Sequence, residues 1–257
     1  MYLLGCSNIF SYFDIIVRLK INRMISAQFD PIPVQRLLNK HTVHLSPYEQ
    51  EFRSLKLVIF PQVFNPAYTQ VSGFLADNLI VNPNSRVLDM FCGSGALGFL
   101  AIKKVQRVRV TGVDISPYAI KCAISNAKNL GLDKKTEFRQ GNLWEAVEED
   151  EQFDLIIANP PLLPAKPENW LEMAIADSPN MSTTIKFLQG CASHLSKNGK
   201  VLMTFSNACK VSFKNPLQFV KKTAQRANLS IEITAERHAG YEIYRVLTFR
   251  KDHSWQK

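Results

Sequence analysis

From Arg86 onward, short runs of apolar residues alternate with segments whose apolar positions recur every three or four residues. The runs "RVLDM" (86–90), "RVRVTGVD" (107–114), "TEFRQ" (136–140), "FDLIIAN" (153–159) and "KVLMTF" (200–205) predict strands. Between them, "ALGFLAIKKV", "SPYAIKCAISNAKNL" and "TTIKFLQGCASHL" carry helical spacing. Ser116-Pro117 supplies start chemistry for the second of these helices, and Gly131 supplies its stop. Strand–helix alternation of this kind gives a parallel sheet covered on both faces, with ligands at the carboxyl ends of its strands.

The pattern changes at the end of the chain. After a helix over "NPLQFVKKTAQRANL" come the strands "SIEITAERH" and "YEIYRVLTFRK", separated only by Ala239-Gly240. So short a connection makes an antiparallel hairpin, because a parallel crossover needs a dozen or more residues. The predicted fold is therefore α/β, a doubly wound mixed seven-stranded sheet with a small helical N-terminal segment. Residues 13–56 read as mainly helical, and "LVIFPQVFNPAYTQVSGFLADNL" as a loop and a helix leading into the sheet. These patterns divide the chain into a helical N-terminal cap over residues 1–57 and a principal domain over 58–257. Within "MYLLGCSNIFSYFD", Ser7, Asn8, Ser11 and Asp14 interrupt the apolar run. It reads as an amphipathic leader or an upstream start ahead of Met24, too polar to span a bilayer.

Composition adds two constraints. A chain of 257 residues buries a core without help from disulfides or metal, and no metal site is expected. Its five cysteines form no CxxC pair, which fits a reducing cytoplasm. The net charge of +9 lies wholly in residues 184–257, which hold 13 Lys/Arg against 4 Asp/Glu. A basic face of this kind either attracts phosphates or serves as an ordinary solvated surface.

Two stretches carry chemistry. In "VLDMFCGSGALG" (87–98), Gly93-Ser94-Gly95 stands between a strand and a helix, Asp89 precedes the loop, and Asp114 ends the next strand. Gly93, Gly95 and Gly98 match dinucleotide spacing, so NAD-linked oxidoreduction is one reading. Asp89, however, would set a carboxylate near a bound pyrophosphate, whereas it suits an ammonium or sulfonium cation. That favours S-adenosylmethionine (SAM). In "DLIIANPPLLP" (154–164), a buried strand stops on Asn159-Pro160-Pro161. Two prolines remove two backbone donors and fix φ, leaving an acceptor-rich corner of the Asn159 side-chain oxygen and the Pro160 carbonyl. An NH2 group donating to both would be held in place for an in-line displacement that needs positioning more than a strong base. No histidine lies in a catalytic context.

"VLDMFCGSGALG", "GVDISPYAI" and "DLIIANPPLLP", in this order, resemble a class I SAM-dependent methyltransferase of the Asn-Pro-Pro branch. The resemblance implies that Asp89, Gly93, Ser94 and Gly95 hold the methionine end of SAM. It implies that Asp114 binds the ribose, that Ile115 packs on the adenine, and that Asn142, beside Leu143, accepts from the adenine amino group. It further implies N-methylation of planar nitrogens: glutamine amides, adenine N6 or guanine N2. Leu162 departs from the family, which has an aromatic residue there to stack on the planar group; Phe64 or Trp170 could supply the ring instead. "VFNPAYTQ" (63–70) is similar to a loop of HemK-type glutamine methyltransferases, which implies that Phe64, Pro66 and Thr69 cover SAM and substrate. Fewer than sixty residues precede the match, shorter than the N-terminal domain of HemK-type enzymes, which argues against a release-factor substrate. The expected acceptor is a protein glutamine or an rRNA base of the translation apparatus, with a small nitrogen metabolite as rival. A non-catalytic SAM-binding module is the alternative from a different class.

Overall fold

The computed structural model describes residues 32–178, 180–207, 215–240 and 242–252. The leader expected before Met24 lies outside them. Helix α1 (Ile32–Thr42) precedes a hairpin of β1 (Tyr48–Phe52) and β2 (Leu55–Ile59). Helix α2 (Gln70–Asp77) then leads into β3 (Arg86–Met90), α3 (Ala96–Lys104), β4 (Arg109–Asp114), α4 (Pro117–Asn129), β5 (Thr136–Gln140) and β6 (Phe153–Ala158). A short excursion follows through β7 (Leu163–Pro164), α5 (Trp170–Met173) and β8 (Ala176–Asp177). The chain returns as α6 (Ser182–His194), β9 (Leu195–Ser206), α7 (Pro216–Arg226), β10 (Leu229–Ala239) and β11 (Glu242–Lys251).

The seven-stranded sheet has the order β10-β11-β9-β6-β3-β4-β5. Strands β3 to β6 and β9 pair in parallel, and β11 runs antiparallel to both β9 and β10. The expected doubly wound mixed sheet is the one found. Alternation along the central strands divides the core. Val87, Leu155, Ile157 and Leu202 face α2, α3 and the hairpin, while Leu88, Met90, Ile156, Ala158 and Met203 face α6 and α7. Both faces are covered, so these strands are apolar almost throughout.

The helical reading of residues 48–56 is corrected: they form most of the β1–β2 hairpin, and the expected division between 57 and 58 falls inside β2. Alternation explains the outcome, since Leu55, Leu57 and Ile59 are buried on one side of β2. The turn residue Arg53 takes a left-handed φ of 54°, and Arg53-Ser54 has none of the Gly or Asn that marks such turns in a sequence. Among the described residues, no helix is long and apolar enough to cross a membrane.

One buried asparagine ties the hairpin to the sheet. Asn126 of α4 accepts from the Val58 N–H at 2.7 Å and donates to the Val58 carbonyl at 3.0 Å and the Ser94 carbonyl at 3.1 Å. It thereby links β2 to the glycine loop. Asn126→Ala would leave these backbone groups buried without partners, at roughly 1–3 kcal/mol for each group left unsatisfied. Urea unfolding is expected to show a loss of about 2–4 kcal/mol. A loss within 0.5 kcal/mol of zero, the range of ordinary surface substitutions, would contradict this role.

Candidate active site

Two motif loops meet because their strands are neighbours. Met90 of β3 pairs with Ala158 of β6, so the chain leaves both strands side by side into Phe91–Gly95 and Asn159–Pro161. Gly93 and Gly95 take left-handed φ values of 53° and 83°. A side chain on Gly95 would also strike the Phe99 ring, whereas one on Gly93 would meet nothing. The loop thus needs its glycines for its turn and, at Gly95, for packing.

A cavity of about 290 Å³ opens above this edge, lined by Gly93, Ser94, Asp114, Ile115, Asn142, Leu143, Asn159 and Pro161 among others. Asp114 is held by the backbone, accepting from the Gly93 and Ser116 N–H groups at 2.9 Å each. Burial raises its pKa. Three non-glycine residues of the wall, Gln62, Phe91 and Leu143, also take left-handed backbone angles. Strain of this kind costs on the order of 1–3 kcal/mol per residue and concentrates at functional sites.

Asp89, which is buried, and Gly95 of the loop do not line the cavity. Asp89 accepts from the Gly98 N–H at 2.9 Å through Oδ2, while Oδ1 is buried with no partner among the described residues. Burial pushes its pKa up to about 8; the Gly98 bond opposes this and the charge of Asp114 adds to it. A cation bound nearby would favour the ionised form of such a half-satisfied, buried carboxyl.

Asn159 is clamped at both ends of its amide. Its Nδ2 donates to Ser72 Oγ at 3.1 Å, and its Oδ1 accepts from Thr204 Oγ1 at 2.6 Å. Ser72, on α2, and Thr204, on β9, are buried. An amide oxygen has two lone pairs, so one is left for a ligand. A second cavity, of about 320 Å³, lies on the other side of Asn159 and is lined by Pro160, Leu162, Phe64, Tyr68, Thr69, Glu242 and Tyr244 among others. Asn159, Phe64 and Ala174 line both cavities and form the partition between them.

The comparisons with known proteins agree with this geometry. A family model described as a methyltransferase domain matches residues 81–249. The chain belongs to the methyltransferase-domain family. It is 29% identical to a putative protein N5-glutamine methyltransferase of Methanocaldococcus jannaschii, over 71% of this chain and 93% of that protein. It is 33% identical to a release factor glutamine methyltransferase of Rhodopirellula baltica, over 44% of this chain and 40% of that one. The chain thus spans less than half of this release-factor relative. A methyltransferase from Pyrococcus furiosus shares the fold with a TM-score of 0.57 at 16% identity, over 86% of this chain and all of that one.

SAM is the methyl donor of this methyltransferase, and the residues present fit it. Asp114 and the open face of Gly93 line the cavity, Ile115 offers an exposed apolar side chain, and the buried Asp89 carboxyl, with its raised pKa, would ionise more readily with a cation nearby. Trp170 lines only this donor cavity, whereas Phe64 also borders the second one. Thr69 and Leu162 lie wholly on the second side. Sequence reasoning missed Ser72, Thr204, Glu242 and Tyr244, which sit within runs that read as plain helix and strand. Among the described residues, no histidine lines either cavity. His41 accepts from the Asn65 N–H at 2.8 Å through Nε2 and pins the "VFNPAYT" loop to α1.

A cationic ligand favours ionised Asp89, so affinity for SAM is expected to rise with pH from about 6 to about 8 and then level off. Calorimetric titration across this range should show the rise, and Asp89→Asn should flatten it. A wild-type affinity independent of pH would contradict the assignment. For the clamp, Thr204→Val should lower kcat by roughly tenfold to a hundredfold with little change in KM, and Thr204→Ser should restore it. Equal losses in the valine and serine variants would mean that Thr204 only fills space.

Proposed function

We propose that the protein transfers the methyl group of SAM to a planar nitrogen, foremost a side-chain amide of a polypeptide of the translation apparatus. The observation that carries this reading is that Asn159 lies in the partition between the two cavities. Its clamped amide can touch a group on either side. The donor cavity presents an activated methyl carbon when SAM is bound. From the second cavity, an NH2 group donates one hydrogen to the free lone pair of Asn159 Oδ1 and the other to the Pro160 carbonyl. Both acceptors lie near the plane of that group, so its lone pair is turned toward the partition. They also stabilise the positive charge that develops on nitrogen as the new bond forms. The S–CH3 bond would break as the N–CH3 bond forms, S-adenosylhomocysteine would leave, and the extra proton on nitrogen would pass to solvent afterwards, so no strong base is required at the moment of transfer.

Support for an amide acceptor comes from the names of the relatives, which include protein and release factor glutamine methyltransferases. An rRNA base is the second reading. It is favoured by the rings of Phe64, Tyr68 and Tyr244, which border the cavity where Leu162 offers no stacking surface. Either substrate places the protein with the translation machinery of the cytoplasm.

Asn159→Ala should retain affinity for SAM within about threefold while lowering turnover to S-adenosylhomocysteine by a thousandfold or more. Calorimetry and a product assay on the same samples separate the two effects. Loss of SAM binding in this variant would overturn the role given to Asn159.

A further inference from the structure

The wall of the second cavity has an unusual electrostatic composition. Among the described residues lining it there is no Lys, Arg or His, and there is one carboxylate, Glu242. Two hydroxyls hold that carboxylate. Ser206 Oγ donates to Oε1, and the Tyr244 hydroxyl donates to Oε2 at 2.7 Å. Glu242 makes no ion pair among the described residues. Arg237, which pairs across the ladder with Tyr244, stacks instead over the Phe74 ring at 4.7 Å. Glu236 pairs instead with Arg245 at 2.7 Å and lies 2.9 Å from His238 elsewhere on the hairpin. A carboxylate has about four acceptor positions, so this one still has acceptor capacity toward the cavity.

Strand β9 fixes how far this group lies from the nucleophile site. Thr204 holds Asn159, and Ser206 holds Glu242. Residues two apart on a strand share a face and lie about 7 Å apart. Tyr244 stands directly opposite Ser206 in the β9–β11 ladder, which locks the carboxylate to the same frame.

Resting on the N-methyl transfer reading above, we propose that Glu242, set by Ser206 and Tyr244, is a cation-recognition group of the acceptor cavity. The acceptor then carries a positive charge near the nitrogen that is methylated, on the same face of the sheet. Two sources share this chemistry: a basic side chain beside the reactive residue of a polypeptide, or the ammonium group of a small amide or guanidine. A nucleic-acid acceptor brings phosphates and is opposed by the same carboxylate.

The test uses methyl-labelled SAM with the full chain and matched acceptors: a synthetic peptide with glutamine beside arginine, the same peptide with glutamate in place of arginine, agmatine, and total RNA. Wild-type protein should favour the arginine peptide over the glutamate peptide by at least about tenfold in kcat/KM, or label agmatine, and which of these takes label identifies the source. Glu242→Gln should bring the peptide ratio to within about threefold of unity while SAM affinity holds. In parallel, agmatine should raise the melting temperature of the wild-type protein and not that of Glu242→Gln. A ratio near one in the wild type with agmatine unlabelled, a preference unchanged in Glu242→Gln, label in RNA alone, or no thermal shift with agmatine in the wild type would overturn the proposal. Asn159→Ala serves as the separate control. If it still transfers methyl groups, the underlying reading fails; if it is silent while the ratios contradict Glu242, only the cation assignment falls.

Discussion

The site depends on the register of three parallel strands. Pairing of Met90 with Ala158 puts the glycine loop next to Asn159-Pro160, and pairing of Ala158 with Met203 puts Thr204 next to Asn159. In a sheet, neighbouring strands are about 4.8 Å apart, so groups leaving adjacent carboxyl ends come within bonding reach without any loop having to reach across. A shift by one residue in β6 would turn Asn159 to the other face and away from both Ser72 and Thr204. The apolar alternation that fills the two core faces therefore also aligns the chemistry.

The site carries costs that the core must cover. Asp89 is buried with one oxygen unpartnered, and Phe91 and Leu143 hold left-handed backbone angles at the cavity wall. Burying a polar atom without a partner is unfavourable, and so is each strained residue. The near-complete burial of β3, β4 and β6, whose sides pack against two helical layers, offsets them. A buried carboxyl that is costly by itself would be stabilised in its ionised form by a cation bound nearby.

Much of this was legible in the sequence, for identifiable reasons. The runs 86–90 and 136–140 match their strands end to end, because short β-prone runs bounded by turn residues mark strands. Asp89, the glycine loop, Asp114 and Asn159-Pro160-Pro161 were found because each breaks its local pattern. Ser72, Thr204 and Glu242 break no pattern: a serine in a helix and a threonine or glutamate in a strand are ordinary there. Their roles follow from packing between elements far apart in the chain, with 87 residues separating Ser72 from Asn159. Residues 48–56 of the β1–β2 hairpin resemble helix in the sequence because the turn lacks glycine and asparagine. Asp89 was expected to touch the ligand, and its burial away from the cavity wall is a matter of depth that spacing alone does not encode.

The central claim is that a planar nitrogen, held by Asn159 and Pro160, receives the methyl group. The most direct measurement is to incubate the protein with methyl-deuterated SAM and a cell lysate, then locate the label atom by atom in digested protein, RNA and small molecules by mass spectrometry. Deuterated methyl is expected on a planar nitrogen, and it should be absent when Asn159→Ala replaces the wild type. Label on carbon, oxygen or sulfur, or label on nitrogen that survives the substitution, would contradict it.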